Sequence, residues 1–401
     1  MTVSHYSSIE LTSESVDDLV SRITTALVNL QGPEQYKYKA RDGRIVDSIS
    51  WNFWEWQQAI GLYGLVNYYA LKSATNPNDP HAVTTLRLVK DWYAARAAEG
   101  CTTKNINTMA VFLSLVTLMD LDNTRGGVFT PVERETYLGW IDEWGEWAMN
   151  DLDRTEMGGF QHITFRLVNE NQLWDDTLMM TVLSLAKIGK LLNRPQYIEE
   201  AKFQFLLHAQ YLMDTKTGLW YHGWEFTGDG SGSGHNYAEA LWARGNCWIT
   251  LAIPDFLELV KLEPSDPVYR MLVGTLTRQV NGMFGRQDPA TGLWRTLVDD
   301  DGSYVETSGS AGFVGGILMA VRLGLLDRAK YLPMALAGLK GCIAQVQPNG
   351  EVANVSKGTP VGLDLDFYRT IPKLTVPYGQ SLVILALGEW LRLQEADAAE
   401  K

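Results

Sequence analysis

The feature that most restricts this chain is an alternation of two kinds of helical segment, joined by turns that resemble one another. Segments such as Leu178–Ile188 and Phe313–Leu323 are apolar almost all round, as a helix covered on every side must be. Others carry one stripe, as do Ile198, Ala201, Phe205, Ala209 and Leu212, which fits a helix with one face on a core and one in water. The turns repeat as well. MDTKTGLWYHGW at 213–224 is echoed by QDPATGLWRTLV at 287–298, and more loosely by TEMGGFQHI at 155–163 and QPNGEVANV at 347–355. Their glycines, Gly158, Gly218, Gly292 and Gly350, stand roughly 58 to 74 residues apart, one helical hairpin plus its loop, and repetition at such a period marks a closed or stacked repeat fold.

Six such units fill 401 residues. The pattern predicts an all-α fold, a six-hairpin α/α barrel (toroid) in which an inner ring of helices is wrapped by an outer ring, as a single domain over residues 1–401. The competing arrangement is a set of independent helix-bundle domains, but no Pro- or Ser-rich linker divides the chain. GDGSGSGH at 228–235 is the one stretch that reads as flexible. The first helix is expected from Val16, Leu19, Val20, Ile23, Leu27 and Leu30, with capping residues at Thr12 to Ser15 and an end near Gly32-Pro33.

Charge and composition exclude several classes. A formal net charge of −13 argues against nucleic acid or an anionic membrane as partner, since both require a basic footprint. No uncharged apolar run reaches membrane-spanning length. Cys101, Cys247 and Cys342 form no CxxC pair, which suits a reducing compartment. The lead MTVSHYSSIELTSESVDDL has neither a basic start nor an apolar h-region, so a cytoplasmic location is expected. The 14 Trp and 17 Tyr exceed ordinary core needs, and such rings also stack on the flat faces of sugars.

Candidate chemistry gathers in three motifs. LWDDTLMM places Asp175 and Asp176 behind Trp174 at the start of an apolar helix. One carboxylate there can serve as a cap; the other, beside Trp and away from water, is a candidate general acid. Burial and the helix N-terminus push its pKa in opposite directions, and the sequence leaves the sign open. TGLWYHGWE supplies His222, Trp224 and Glu225, and LWARGNCW supplies Trp242, Arg244 and Trp248. Arg244 suits a bidentate hold on a carboxylate, or a structural ion pair. GGFQHITFR adds His162 and Arg166, and NINT at 105–108 offers side-chain donors for hydroxyls, or a helix cap. The histidines form no HExxH, GDGSGSGH is no phosphate loop, and no GxSxG elbow is present. Neither a metal nor a cofactor is expected.

WEWQQAIGLYGL, NINT, GGFQHITFR, LWDDTLMMTVLSLAKIG, TGLWYHGW and WARGNCW, in this order, resemble the unsaturated rhamnogalacturonyl hydrolases of glycoside hydrolase family 105, relatives of the unsaturated glucuronyl hydrolases of family 88. The resemblance runs from Trp51 to Gly379 and includes VSKGT and the YGQ of the last helix. It implies a barrel of six helical hairpins. It also implies a glycosidase that releases the 4,5-unsaturated uronate from lyase-generated pectin oligosaccharides by hydrating the vinyl ether. On that pattern Asp176 protonates carbon 4 and then takes a proton from the water attacking carbon 5. Trp54, Asn107, His162, Arg166, His222, Trp242, Arg244 and Trp248 are the implied substrate-binding residues, and the partner is a small oligosaccharide. Asp175 stands where the pattern has a small residue. A conventional inverting hydrolase or an epimerase would instead need a second acid or base such as Glu225, Glu239 or Asp364, and a non-catalytic carbohydrate-binding solenoid would tolerate loss of Asp176.

Overall fold

A computed structural model describes residues 11–399. Residues 1–10, the first part of the lead on which the cytoplasmic expectation rests, and residues 400–401 lie outside the described residues. Twelve helices of nine residues or more follow one another among those described: α1 (Ser13–Asn29), α2 (Trp56–Thr75), α3 (Pro80–Glu99), α4 (Phe112–Arg125), α5 (Pro131–Asn150), α6 (Leu183–Leu191), α7 (Pro195–Leu212), α8 (Ala243–Val260), α9 (Pro267–Met283), α10 (Thr307–Arg322), α11 (Arg328–Ile343) and α12 (Pro377–Ala399). A π-helical turn, Leu178–Val182, leads directly into α6. The chain is thus mostly helical, with only short strand pairs between helices.

The even-numbered helices are the all-round apolar ones. In α8 every residue from Ala243 to Leu257 is buried, and in α10 every residue from Thr307 to Val321. They touch in a closed cycle, α2 to α4 to α6 to α8 to α10 to α12 and back to α2. The odd-numbered helices lie outside: α3 packs on α2, α5 on α4, α7 on α6, α9 on α8 and α11 on α10. The first helix completes the set by packing on the last, α12. Where they are covered on all sides, as α8 and α10 are along most of their length, the inner helices present no polar face.

The outer helices share a start signal. α3, α5, α7 and α9 each open on proline at the first helical position, where a missing N–H costs nothing. Asp79, Thr130 and Asp266 cap three of them through side-chain oxygens.

The repeated turns have a steric origin. Gly218, Gly292 and Gly350 all take positive φ, at 78°, 74° and 86°, where only glycine is unstrained. Each also presses on the backbone of the next outer helix. A Cβ at Gly218 would lie 2.5 Å from the Arg278 carbonyl oxygen, one at Gly292 2.5 Å from that of Ala337, and one at Gly350 2.3 Å from that of Arg22. The last contact reaches α1, so the same turn that links neighbouring hairpins also joins the end of the chain to its beginning.

One expectation changes. Gly228–His235 is tied down: Gly234–His235 pairs as a strand with Gly223–Phe226, and the Gly232 N–H donates to Glu156 Oε1 at 2.8 Å. Its glycines are needed for closeness, since a Cβ at Gly234 would fall 2.1 Å from the Glu225 oxygen. Among the described residues no helix is long and apolar enough to cross a membrane, and the three cysteines are unpaired.

Candidate active site

A cavity of about 1040 Å³, open mouth included, lies at one end of the inner ring. Its wall includes Tyr36, Tyr38, Glu55, Trp56, Asn107, His162, Arg166, Trp174, Asp176, Trp242 and Lys357. Strand pairing brings the main motifs to it. Gln172–Trp174 runs antiparallel to Gly223–Phe226, with Trp174 opposite Gly223, and the Asp175 N–H donates to the His222 carbonyl at 3.0 Å. LWDD and YHGW are thereby laid side by side, and the chain then turns into the π-helical segment, a geometry that often aims side chains at functional sites.

Asp176 is held from two directions. Trp248 Nε1 donates to its Oδ1 at 3.1 Å, and His222 Nε2 lies 3.1 Å from its Oδ2. The side chain keeps 14% of its surface exposed, so the carboxyl is fixed yet reachable. His222 is oriented in turn by the Tyr368 hydroxyl, 2.8 Å from Nδ1, and that hydroxyl accepts the Gly362 N–H at 2.9 Å. The relay assigns the protons: Tyr368 donates to Nδ1, so Nε2 carries the hydrogen it gives to Asp176.

The two neighbouring carboxyls diverge. Burial pushes Asp176 upward, but its hydrogen bond from His222 and the positive charge of Arg244 oppose this, and the carboxyl is held below the usual carboxylate range. Asp175 goes well above the usual carboxylate range, chiefly because it is buried and then because Asp176 is charged beside it. Neither Asp175 oxygen has a hydrogen-bond partner, as expected of the member of the pair that keeps a proton. On the question left open by the sequence the two carboxyls go opposite ways: Asp176 is drawn toward the charged form and Asp175 toward the neutral one.

Asp175, Asp176 and His222 place three donor atoms within 4.8 Å of one another, a spacing that can hold a cation. Both His222 nitrogens are already engaged, so a metal there would have to displace the bond that positions Asp176.

The Glycosyl Hydrolase Family 88 model matches residues 33–394. This chain belongs to that family. A similar solved structure, from Salmonella enterica subsp. enterica serovar Paratyphi A str. ATCC 9150 and described as a possible member of GH105 family, is 45% identical, with a TM-score of 0.87 over 96% of each chain. The "Unsaturated rhamnogalacturonyl hydrolase YesR" of Bacillus subtilis (strain 168) is 29% identical over 85% of this chain and 91% of its own length. An unsaturated glucuronyl hydrolase specific for heparin shares the fold, with a TM-score of 0.67 at 14% identity over 95% and 97% of the two chains.

In this family 88 glycosidase the expected site residues fall into three groups. Asn107, His162, Arg166 and Trp242 stand on the cavity wall with Asp176. His162 is stacked on Trp174 with ring centroids 4.2 Å apart and bonds Thr177 Oγ1 at 2.8 Å; burial brings its pKa down to about 4. His222 and Trp248 lie behind the wall and hold Asp176.

Trp54 and Arg244 require correction. Trp54 faces the hairpin core, stacked on Trp144 at 5.8 Å with its Nε1 donating to the Thr108 carbonyl at 2.8 Å; Trp56, two residues on, meets the cavity. Arg244 is wholly buried and spends its terminal nitrogens on other parts of the chain: Ser308 Oγ (3.3 Å), the carbonyls of Ser356 (2.7 Å) and Lys357 (2.9 Å), and Thr359 Oγ1 (3.1 Å). It clamps the segment 356–359, not a ligand in the cavity.

Glu225, Glu239 and Asp364 are absent from the wall. The second carboxyl there is Glu55, unforeseen, 2% exposed at the N-cap of α2. It accepts the Trp56 N–H at 2.7 Å and Asn107 Nδ2 at 3.0 Å, yet burial pushes it up to about 8. Its signal was the lone acid in the aromatic run WNFWEWQQ.

Proposed function

We propose that this glycosidase removes the terminal 4,5-unsaturated uronate from lyase-generated rhamnogalacturonan oligosaccharides, with Asp176 as its acid-base group. The observation that carries the reading is the fixed, accessible Asp176 carboxyl at an aromatic cavity, bonded by His222 and Trp248. The name of the Bacillus subtilis relative supports the substrate class. The closed cycle of inner helices with an outer partner for each supports the six-hairpin toroid.

A vinyl ether asks little of its catalyst. Protonation of carbon 4 leaves positive charge on carbon 5 and the ring oxygen, which a carboxylate at contact distance stabilises. Water then adds at carbon 5, giving its proton to the same carboxylate, and the hemiketal opens with loss of the glycosidic bond. Asp176 must be protonated for the first step. An anionic substrate that also expels water from the cavity raises its proton affinity on both counts. Asn107, His162, Arg166 and Trp242 form the wall around the sugar; His222 and Trp248 aim the carboxyl.

A second reading has its own support. Burial pushes Glu55 up to about 8 while Asp176 is held below the usual carboxylate range, and carboxyls pushed apart in this way suit an acid and a base. Glu55 would then protonate carbon 4, and Asp176 would receive the proton of water.

The test is incubation with unsaturated galacturonyl-rhamnose. Disappearance of the ultraviolet absorbance of the conjugated double bond, together with release of rhamnose, is the expected result. Release of rhamnose with the absorbance retained would mean ordinary glycoside hydrolysis and overturn the reading.

A further inference from the structure

A uronate brings a negative charge into a chain of net charge −13, so its site must gather cations locally. Arg244, the residue expected to do this, is committed to Ser308 and the 356–359 segment. His162 and His222 are both driven toward the neutral form by burial. Arg166 and Lys357 are then the cationic side chains left on the cavity wall.

Among the described residues no carboxylate lies within 4.0 Å of Lys357 Nζ or the Arg166 guanidinium, whereas Arg194, Arg322 and Arg369 each pair with two. Both rest on tyrosines of one short segment: Lys357 Nζ stands 4.4 Å from the Tyr36 ring centroid, and the Arg166 guanidinium 6.0 Å from that of Tyr38. A tyrosine face steadies a cation without neutralising it.

The backbone under Lys357 is unusually well anchored. Its N–H donates to the Pro372 carbonyl at 2.9 Å, and its carbonyl takes bonds from Arg244 at 2.9 Å and Thr359 Oγ1 at 2.6 Å. The Ser356 carbonyl before it accepts from Arg244 and from the Tyr378 hydroxyl at 2.5 Å. So many bonds to the carbonyls on either side of its Cα fix where the Lys357 side chain begins.

We infer that Lys357, presented on the strap that Arg244 clamps and assisted by Arg166 at the mouth, is the group that recognises the carboxylate of the substrate. Arg244 is a positioning residue for it. The assignment rests on the uronate reading above and names how this chain selects for the charged sugar.

The experiment compares the intact protein with Lys357→Met and Lys357→Arg on unsaturated galacturonyl-rhamnose and on its methyl ester. Lys357→Met should raise KM for the free acid about ten- to hundredfold, the usual consequence of unpairing a largely desolvated charge. Its kcat should stay within about threefold of the parent, and KM for the ester should not move. Lys357→Arg should recover most of the acid's KM. An unchanged KM for the acid in Lys357→Met, or an equal rise for acid and ester, would overturn the assignment. Failure of the unsubstituted protein to consume the double bond of the acid would instead overturn the uronate reading itself. Equal melting temperatures of the three proteins keep a folding defect apart from either outcome.

Discussion

Gly245 leaves the space that the Asp175 carboxyl fills: a Cβ at position 245 would fall 2.2 Å from Asp175 Oδ2. The glycine of WARGNCW and the extra acid of LWDDT, 70 residues apart by their numbers (245 − 175), are two halves of one fit. Asp175 is fully buried and cannot swing away into water. Gly245→Ala should therefore lower stability by about 1–3 kcal/mol, the range for overpacking a filled core. Urea unfolding gives the number, and the double variant Gly245→Ala, Asp175→Ala should recover much of it. Independent, additive losses would show that the two residues are not coupled.

Asp176→Asn keeps the shape of the side chain but removes its proton chemistry. Turnover of unsaturated galacturonyl-rhamnose should fall by about 10²–10⁴, the range for loss of a positioned acid-base group. Circular dichroism and melting temperature should stay near those of the parent. Glu55→Gln should lose much less, since the amide still accepts the Trp56 N–H. A loss in Glu55→Gln as large as in Asp176→Asn would transfer the proton to carbon 4 from Asp176 to Glu55.

Glu55 also sets a dependence of stability on pH. Its folded pKa, about 8, lies above the ordinary value of 4.5, so the unfolded chain releases its proton first. The contribution is fully present below about pH 4.5 and is lost as pH rises toward 8. Relative to Glu55→Gln, the parent should lose up to about 1.4 kcal/mol per pH unit across that window. The buried histidines act in the opposite direction. His162 at about 4 and His208 at about 3 lie below 6.5, so the stability they leave intact above pH 6.5 is lost as pH falls toward 3. Urea titrations from pH 3.5 to 8 measure both limbs, and parallel curves for parent and Glu55→Gln would contradict the assignment to Glu55.

How far the sequence could be read follows from the range of each interaction. Helix texture is a local property, and the turn glycines repeat it at the level of hairpins, so the inner and outer rings and their order were legible. What α1 packs against was not, because its partner α12 begins more than 300 residues away, at Pro377. Asp176, His162 and Trp242 were legible through motifs whose local strands and helix starts carry their geometry. Trp54 and Trp56 differ only in which side of the α2 start they occupy, and the run WEW does not say which ring faces inward. Arg244 was misjudged because the carbonyls it serves, at Ser356 and Lys357, are over a hundred positions further along. Glu55 stands inside the motif WEWQQAIGLYGL, but nothing in that run marks it as chemical; burial does.

The clamp made by Arg244 has a consequence away from catalysis. Arg244→Met would leave the Ser356 and Lys357 carbonyls short of a donor, at a cost of about 2–4 kcal/mol. Hydrogen exchange at the amides of 356–359 should quicken more than elsewhere in the chain. Unchanged protection of that segment would mean that Tyr378 and the Pro372 pairing hold it alone.

The most direct measurement is the fate of a hydrogen. With unsaturated galacturonyl-rhamnose in heavy water, the account predicts that the double bond disappears and one deuterium appears on carbon 4 of the released uronate, at a rate that Asp176→Asn reduces by orders of magnitude. A product that keeps its double bond and carries no deuterium at carbon 4, or deuterium incorporation undiminished in Asp176→Asn, would contradict it.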